Sequence, residues 1–368
     1  MGIKGFGLSI LDKYILRKYV STFIFTMAIL SLIAVVFDVS ERIEKFISKD
    51  LGWWHVTRDY YFNFIPWINS LLFPLYSLIT VIFFTSRMAD QTEIIPIFSS
   101  GISYRRFLRP FIIAASFFTL VHLVGNHIVV PRGNKILKDF ENTYIKTSNI
   151  YSKDRNVHLF VEPQVEAFIY LFNVSDSSGS NFQLRKLEGS RVVQILTART
   201  IRWKGPPHIW TLGDYEIRTL EDSTEKFNVY QGKFVDTSLN LLVSDFVILK
   251  NRKEMMRTPD LSEFIDREKE KGSGITVPYE VEKHRRTADP FTSLILAIIG
   301  TCIASRKVRG GLGLHLAVGV ILGVVFIFLS KLSLTFANNE VIPPLLAVWI
   351  PNIIFSFVAF YTYKIAQK

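Results

Sequence analysis

Long stretches without a charged residue dominate the hydrophobic pattern of this chain. Five of them contain 18 to 27 residues each: Val20–Phe37, Tyr60–Ser86, Pro110–Pro131, Gly310–Ser330 and Val341–Tyr363. A helix needs about 20 predominantly apolar residues to cross the hydrocarbon core of a bilayer. The pattern therefore predicts a polytopic membrane protein, and it excludes a soluble globule, a disordered chain and a disulfide-stapled secreted domain.

A sixth stretch, Pro290–Ser305, is free of charge for only 16 residues. Asp289 followed by Pro290 is typical of an N-cap and a first-turn proline, so the pattern predicts that a helix starts there. Such a helix is about 24 Å long, and a thinner bilayer or flanking polar residues could supply the missing length. A re-entrant or interfacial segment is the alternative interpretation.

Basic residues alternate between the segments that join these spans. Segments 1–19, 87–109 and 306–309 are rich in Lys and Arg, whereas loop 335–343 has none. Lys and Arg accumulate on the cytoplasmic side of membrane proteins. The alternation therefore predicts an even number of spans, with both termini in the cytoplasm. The net charge of +11 is then mostly an orientation signal, and it does not indicate nucleic-acid binding.

The region between the third and fourth spans, residues 132–287, has the alternating pattern of β-strands. Strands are predicted at Val165–Val174 and at Leu239–Lys250. Several short strands of this kind indicate a sandwich, jelly roll or open barrel. Thr258 then begins a short charged helix that extends to about Lys271.

The pattern as a whole predicts a membrane α-helical fold with six transmembrane helices in a 3+3 arrangement and an inserted extracytoplasmic β domain. The N-terminal half covers residues 1–131, the β domain 132–287 and the C-terminal half 288–368. The spans are expected at about 20–38, 62–86, 107–130, 289–305, 312–334 and 343–364, and a short cytoplasmic helix is expected at about 90–101.

That short helix lies in loop 87–109. Asp90 or Thr92 can cap it, Gly101 ends it, and its apolar positions are Ile94, Ile97 and Phe98. An amphipathic helix of this kind lies along the membrane surface and can dock into the groove of a partner protein. A plain connector that contacts only lipid head groups is the alternative.

The chain resembles the LptF/LptG permease family, the membrane subunits of the lipopolysaccharide-export ABC transporter. The residues that carry the resemblance occur in the family's order: Leu11–Ile15, Glu93–Ile95, Ser100–Ser103, Leu108–Pro110, His284–Pro290, Arg309–Gly313 and Pro343–Asn352. The chain departs from the family at Pro96 and Phe98, where Ala and Arg are common. Between the two paralogues we favour LptG.

The resemblance implies a permease subunit that extracts lipopolysaccharide from the bacterial inner membrane and passes it to a periplasmic jelly-roll bridge. The β domain would itself be a periplasmic jelly roll. The implied partners are a paralogous LptF-like permease, an LptB-like ATPase dimer, and jelly-roll proteins like LptC and LptA. A membrane-anchored sensor or scaffold that presents a periplasmic β domain is the alternative function.

An enzymatic role is not expected for this chain. Its Gly310–Gly313 stretch lacks the Lys that follows the glycines of a phosphate-binding loop. ATP and Mg would therefore be bound by the partner ATPase, and no cofactor, metal or catalytic residue is expected here. His122 and His127 in the third span are expected to hydrogen-bond neighbouring helices.

The resemblance also implies two sets of site residues. Contact with the ATPase is assigned to Glu93, Ile94, Ile97 and Gly101; in the family the glutamate pairs with a basic residue of the ATPase. A solvated glutamate near a helix start is the alternative. Candidate contacts with lipid phosphates are Arg42, Lys45, Lys49 and Lys331. The first three could instead form local ion pairs, and Lys331 either faces a cavity or extends to the membrane surface.

Overall fold

Six helices of the chain are long and apolar enough to cross a membrane, which confirms the predicted number of spans. The computed structural model describes residues 9–145, 154–173, 176–189, 191–206, 208–221, 224–243, 252–271, 276–306, 308 and 310–367. Within these ranges the spans are Ile10–Ser48, Trp53–Asp90, Tyr104–Ile145, Val277–Ala304, Gly311–Asn338 and Pro344–Ala366.

Eleven α-helices are formed by the described residues, and two pairs of them are joined into continuous spans. They are α1 (Ile10–Ser48), α2 (Trp53–His55), α3 (Phe62–Asp90), α4 (Ile94–Ser99), α5 (Tyr104–Val124), α6 (Val130–Phe140), α7 (Arg252–Met255), α8 (Thr258–Glu270), α9 (Val277–Ala304), α10 (Gly311–Asn338) and α11 (Pro344–Ala366). The wider π-helical turns Val56–Tyr61 and Gly125–Val129 join α2 to α3 and α5 to α6.

The membrane helices extend beyond the charge-free stretches because polar residues continue their ends. Helix α1 starts ten residues before Val20, where Ser9 and Asp12 form a reciprocal capping box. Helix α9 starts at Val277, so the prediction that Asp289 caps this span is wrong. Helix α9 has 28 residues, of which the first part is charged and the part from Pro290 onward is apolar.

Two prolines are accommodated inside membrane helices by hydrogen bonds from neighbouring helices. Pro290 has no N–H for the carbonyl of Arg286, and the side-chain amide of Asn126 donates to that carbonyl at 3.5 Å. Pro351 likewise leaves the carbonyl of Ala347 without its helical donor, and the hydroxyl of Ser333 on α10 donates to it. The fourth span therefore continues through a proline that the sequence pattern places at its start.

Helix α4 is shorter than predicted. Asp90 is still the last residue of α3, and Thr92 has a left-handed backbone with φ 58°, so neither of them caps α4. Glu93 occupies the N-cap position without a side-chain hydrogen bond to the helix. The predicted end is confirmed, because Gly101 has φ 83°, a conformation that side chains disfavour.

The helices differ strongly in how much of their surface the chain itself covers. Aromatic residues of α1, α3 and α5 form a central core in which Phe23 and Phe118 stack with ring centroids 3.9 Å apart. In an apolar stretch of 18 residues of α9, 61% is buried by the rest of the chain. The corresponding share is only 11% in α1 and 17% in α10. These two helices leave wide apolar faces open to lipid or to another protein.

The inserted β domain is confirmed, and its described strands form one six-stranded antiparallel sheet. The strands are β1 (Asp154–Glu162), β2 (Val165–Asn173), β3 (Ser178–Glu188), β4 (Arg191–Gly205), β5 (Ile209–Leu220) and β6 (Glu225–Ser238). Each strand pairs with the next along the chain, so the described strands form a meander, and the strand order of a Greek-key jelly roll is not seen among them.

The strand predicted at Leu239–Lys250 is wrong for its first five residues, since β6 ends at Ser238. Leu239 and Leu241 alternate because they pack into the core of the sheet, where the carbonyl of Leu241 accepts a hydrogen bond from the indole of Trp210 at 3.0 Å. The rest of this predicted strand, together with Val174, Lys307 and Arg309, lies outside the described residues.

The chain divides into two compact units whose limits differ from the predicted domains. The helical unit comprises Met1–Phe140, Glu254–Thr258 and Val277–Lys368, and the β unit comprises Glu141–Lys253 and Pro259–Thr276. Residues 132–140 and 277–287 therefore belong to the helical unit, because α6 and the first part of α9 are polar continuations of the spans.

Ser333→Ala is expected to lower the free energy of unfolding by about 1–3 kcal/mol, because the buried carbonyl of Ala347 loses its donor. In a Pro351→Ala background the loss should be smaller, since residue 351 regains the N–H that bonds this carbonyl. Denaturant unfolding in mixed micelles compares the four proteins. Ser356→Ala is the control, because its hydroxyl bonds a carbonyl of its own helix. If Ser333→Ala lowered the free energy of unfolding equally with and without Pro351→Ala, the Ser333 hydroxyl would not be the replacement for the missing N–H of Pro351.

Candidate functional site

The residues assigned to ATPase contact lie at one end of the helical unit, around Glu93. One carboxylate oxygen of Glu93 accepts a hydrogen bond from the hydroxyl of Tyr14 at 2.9 Å. The other oxygen lies 3.5 Å from the ammonium nitrogen of Lys18. Tyr14 and Lys18 both belong to α1, far from Glu93 in sequence, and sequence reasoning did not find this contact. The carboxylate is therefore bound by α1 as well as exposed to solvent.

Helix α4 turns its two predicted contact residues toward the protein. Ile94 is buried, and Ile97 packs partly buried against the same core. Phe98 is anchored by Tyr104 and Phe107, with ring centroids 5.9 and 5.3 Å away. The apolar residue that α4 presents to solvent is Ile95, which is 55% exposed and which the sequence did not single out.

A cavity of about 670 Å³ lies between α4 and the ends of α9 and α11. Its wall is apolar on the side of α4 and polar on the other side, where the guanidinium of Arg306 donates to the carbonyl of Ile365. The lining residues are Ala89, Ile94, Ile95, Phe98, Ile102, Tyr104, Ser305, Arg306, Ala366 and Gln367. With the partly exposed Glu93 directly before α4, this end of the unit combines an apolar groove with a carboxylate.

The start of α1 is fixed to the start of α5 at the same end. The buried carboxylate of Asp12 accepts two hydrogen bonds from the guanidinium of Arg106, at 2.6 and 2.7 Å. The same guanidinium also donates to the hydroxyl of Ser9 at 3.1 Å. Bidentate pairs of this kind fix orientation as well as distance. The first turn of α1, directly before Tyr14 in the chain, is therefore held in a fixed orientation relative to α5.

The three candidate lipid contacts at the end of α1 differ in whether another side chain of the protein already pairs with them. The guanidinium of Arg42 pairs with Asp38 at 2.9 Å and lies over the ring of Tyr60, whose hydroxyl donates to Asp38 at 3.0 Å. Arg42 thus forms a local ion pair. Lys45 and Lys49 are exposed and have no ion-pair partner within the described part of the chain, so their ammonium groups remain available to a ligand.

Lys331 is exposed and lines a charged cavity of about 270 Å³ in the helical unit. The cavity also contains residues that the sequence did not assign to a site. Its charged residues are balanced, with three acids facing three bases: Glu254, Glu282, Asp289, Arg285, Arg286 and Lys331. Uncharged walls are provided by Trp67, Ser70, Leu71, Asn126, Val130, Pro131 and Asn134.

Four of the cavity's charges come from one face of α9. Arg285 pairs with Glu282 at 3.0 Å and with Asp289 at 3.6 Å, and Arg286 pairs with Glu282 at 3.2 Å. Their three- and four-residue spacing is readable in the sequence, but only if the helix is extended before Pro290. Lys331 forms no direct ion pair within the described residues, and its charge interacts with that of Asp289 over a longer distance.

The two histidines of the third span link helices, as predicted. His122 shares a hydrogen bond of 3.4 Å with Ser70 on α3. His127 contacts Thr258 at 3.0 Å through one ring nitrogen and Thr287 on α9 at 3.3 Å through the other. Across the described ranges, no group of three or more His, Cys, Asp or Glu residues could hold a metal ion.

Comparison with models of known protein families identifies the family of this chain. The model of the family described as lipopolysaccharide export system permease LptF/LptG matches residues 13–365, from the first turn of α1 to the last turn of α11. This family description covers both paralogues, so the match does not distinguish LptG from LptF. No curated protein matches the chain.

Proposed function

The chain belongs to the LptF/LptG family of lipopolysaccharide export permeases, and from this membership we propose that it is the permease subunit of an ATP-driven exporter. It is a multi-pass inner membrane protein. In the proposed cycle it extracts the glycolipid from the inner membrane and passes it to a periplasmic jelly-roll bridge. The observation that carries this proposal is a family match that includes all six spans and the β unit.

The proposed assembly contains a paralogous LptF-like permease, an LptB-like ATPase dimer, and LptC- and LptA-like proteins. Both termini would lie in the cytoplasm and the β unit in the periplasm, in agreement with the distribution of Lys and Arg. The sparsely covered helices α1 and α10 supply apolar faces for the second permease and for the acyl chains. ATP and Mg would be bound by the ATPase, since this sequence has no phosphate-binding loop.

Depletion of this chain in its native cells tests the proposed function. A permease of this exporter is required for extraction, so lipopolysaccharide should accumulate in the inner membrane and decrease at the cell surface. Fractionation of the two membranes followed by quantification of lipopolysaccharide measures both. Normal export after depletion would contradict the proposal and would instead fit a membrane-anchored sensor or scaffold.

In this proposal the Glu93 carboxylate is the polar contact with the ATPase, and the α4 segment with Gly101 presents it. Glu93 is partly exposed and directly precedes Ile94, which lines the apolar groove, and this position supports the role, since a groove can bind a partner while a charge fixes its orientation. Ile97 would act by holding α4 against the helical unit, since it packs against the core, whereas Ile94 is part of the core and also lines the groove.

Glu93→Arg is expected to prevent co-purification of the ATPase, because it places two cations against each other at the contact. Gln91→Arg adds the same side chain two residues away in an exposed position and should retain the ATPase. The measurement is the ratio of ATPase to permease after affinity purification of the complex. Full retention with Glu93→Arg would remove Glu93 from the contact.

For the lipid, the proposed phosphate contacts are Lys331, Lys45 and Lys49, which the structure leaves without an ion-pair partner among the described residues. Arg42 is committed to Asp38 and would orient this region rather than bind lipid directly. Lys331 is exposed and also lines a cavity that contains three acidic and two further basic residues, and this position supports a contact with an anionic head group.

Lys331→Gln is expected to weaken lipopolysaccharide binding about tenfold or more, since hydrogen bonds to charged groups contribute about 1.5–3 kcal/mol. Binding is measured as lipopolysaccharide retained by the purified permease complex in detergent. Lys364→Gln, in the last turn of α11, is the matched control and should bind normally. Equal binding by both variants would assign Lys331 to extension toward the membrane surface.

A further inference from the structure

The contact between Glu93 and α1 is a closed group of three side chains. Tyr14 and Lys18 are one helical turn apart, and the ammonium of Lys18 lies 4.4 Å from the centre of the Tyr14 ring. Each of them binds a different oxygen of the Glu93 carboxylate. The orientation of the carboxylate is therefore set by α1, and not by α4, to which Glu93 makes no capping hydrogen bond.

The α1 side of this contact is held more firmly than the Glu93 side. Before Tyr14 in the chain, α1 is fixed to α5 by the pair of Asp12 and Arg106. After Lys18, Tyr19 is fully buried among the aromatic residues of the core. On the other side, Glu93 follows Thr92, whose strained φ of 58° interrupts the path between α3 and α4. A displacement of Glu93 would therefore act on α1 through Tyr14 and Lys18.

The contact is also of the kind that exchanges readily. The side chains of Lys18 and Glu93 are 40% and 32% exposed, and ion pairs with this exposure contribute little to stability. A cation of a partner can thus approach the same carboxylate without first breaking a strong bond. Beyond its contacts with α5 and the aromatic core, α1 is the span whose apolar stretch is least buried by the chain, at 11%.

We propose that Tyr14 and Lys18 are positioning residues, which orient Glu93 for the ATPase and transmit displacement of the Glu93 segment to α1. This inference rests on the proposed function, in which Glu93 contacts the ATPase. The two residues touch neither nucleotide nor lipid; they act through the carboxylate. Their loss therefore uncouples hydrolysis from transport without removing either partner from the complex.

The test uses the whole complex of permease chains and ATPase in proteoliposomes, with a soluble periplasmic jelly-roll protein as acceptor. The quantity measured is lipopolysaccharide delivered per ATP hydrolysed. For Tyr14→Phe and Lys18→Gln this ratio should fall about two- to fivefold, the range expected for a solvated pair. Lys18→Arg keeps the cation and should restore the ratio. Arg17→Gln removes the neighbouring exposed cation and should match the wild type.

The KM for ATP, the ATPase content of the complex and its melting temperature are measured on the same samples, and all three should remain at wild-type values. An unchanged ratio in Tyr14→Phe and Lys18→Gln overturns the inference. A fall in the ratio that is accompanied by equal losses of ATPase content and melting temperature also overturns it, since the residues are then merely structural. A wild-type complex that hydrolyses ATP but delivers no lipopolysaccharide overturns the proposed function itself.

Discussion

In a bilayer, every backbone carbonyl that loses its helical donor needs another one, and this requirement shapes the C-terminal half of the protein. Pro290 and Pro351 each remove an N–H from a membrane helix, and side chains from neighbouring helices replace it. Asn126 donates to the carbonyl of Arg286, and Ser333 donates to that of Ala347. Each of these hydrogen bonds fixes the position of one span along the axis of its neighbour. The same bonds that allow α9 and α11 to continue through proline thus also specify which helices are neighbours.

The continuation of α9 through Pro290 has a second consequence. Because the helix begins at Val277, the charged residues before the proline are helical and share one face. Glu282, Arg285, Arg286 and Asp289 pair with one another there, which lowers the cost of placing them inside the helical unit. The cavity that they line also receives Lys331 from α10. The continuation of α9 through one proline therefore places four charged side chains at the cavity that Lys331 also lines.

The features that depend on local pattern could be predicted from the sequence. The spans follow from charge-free length, the β domain from alternation, and the end of α4 from a glycine with positive φ. Features that depend on a distant partner could not be predicted. Pro290 resembles a helix start unless the donor from Asn126 is known, and Leu239 resembles a strand residue unless its place in the sheet core is known. The contact of Glu93 with Tyr14 joins two helices whose sequences give no sign of each other.

Helix α1 connects the two proposed functional regions, the ATPase contact at Glu93 and the basic residues proposed to bind lipid phosphates. It carries Tyr14 and Lys18 near its start and Arg42 and Lys45 near its end, and Lys49 follows directly as its C-cap residue. Its 39 residues correspond to about 58 Å of helix. Proline and π-helical turns, which kink helices or allow them to bend, occur in the second and third spans but nowhere between Ile10 and Ser48. A helix without such an interruption can transmit a displacement along its length. In the proposed exporter, α1 is therefore the element through which a movement at the ATPase contact reaches the residues proposed to hold the lipid.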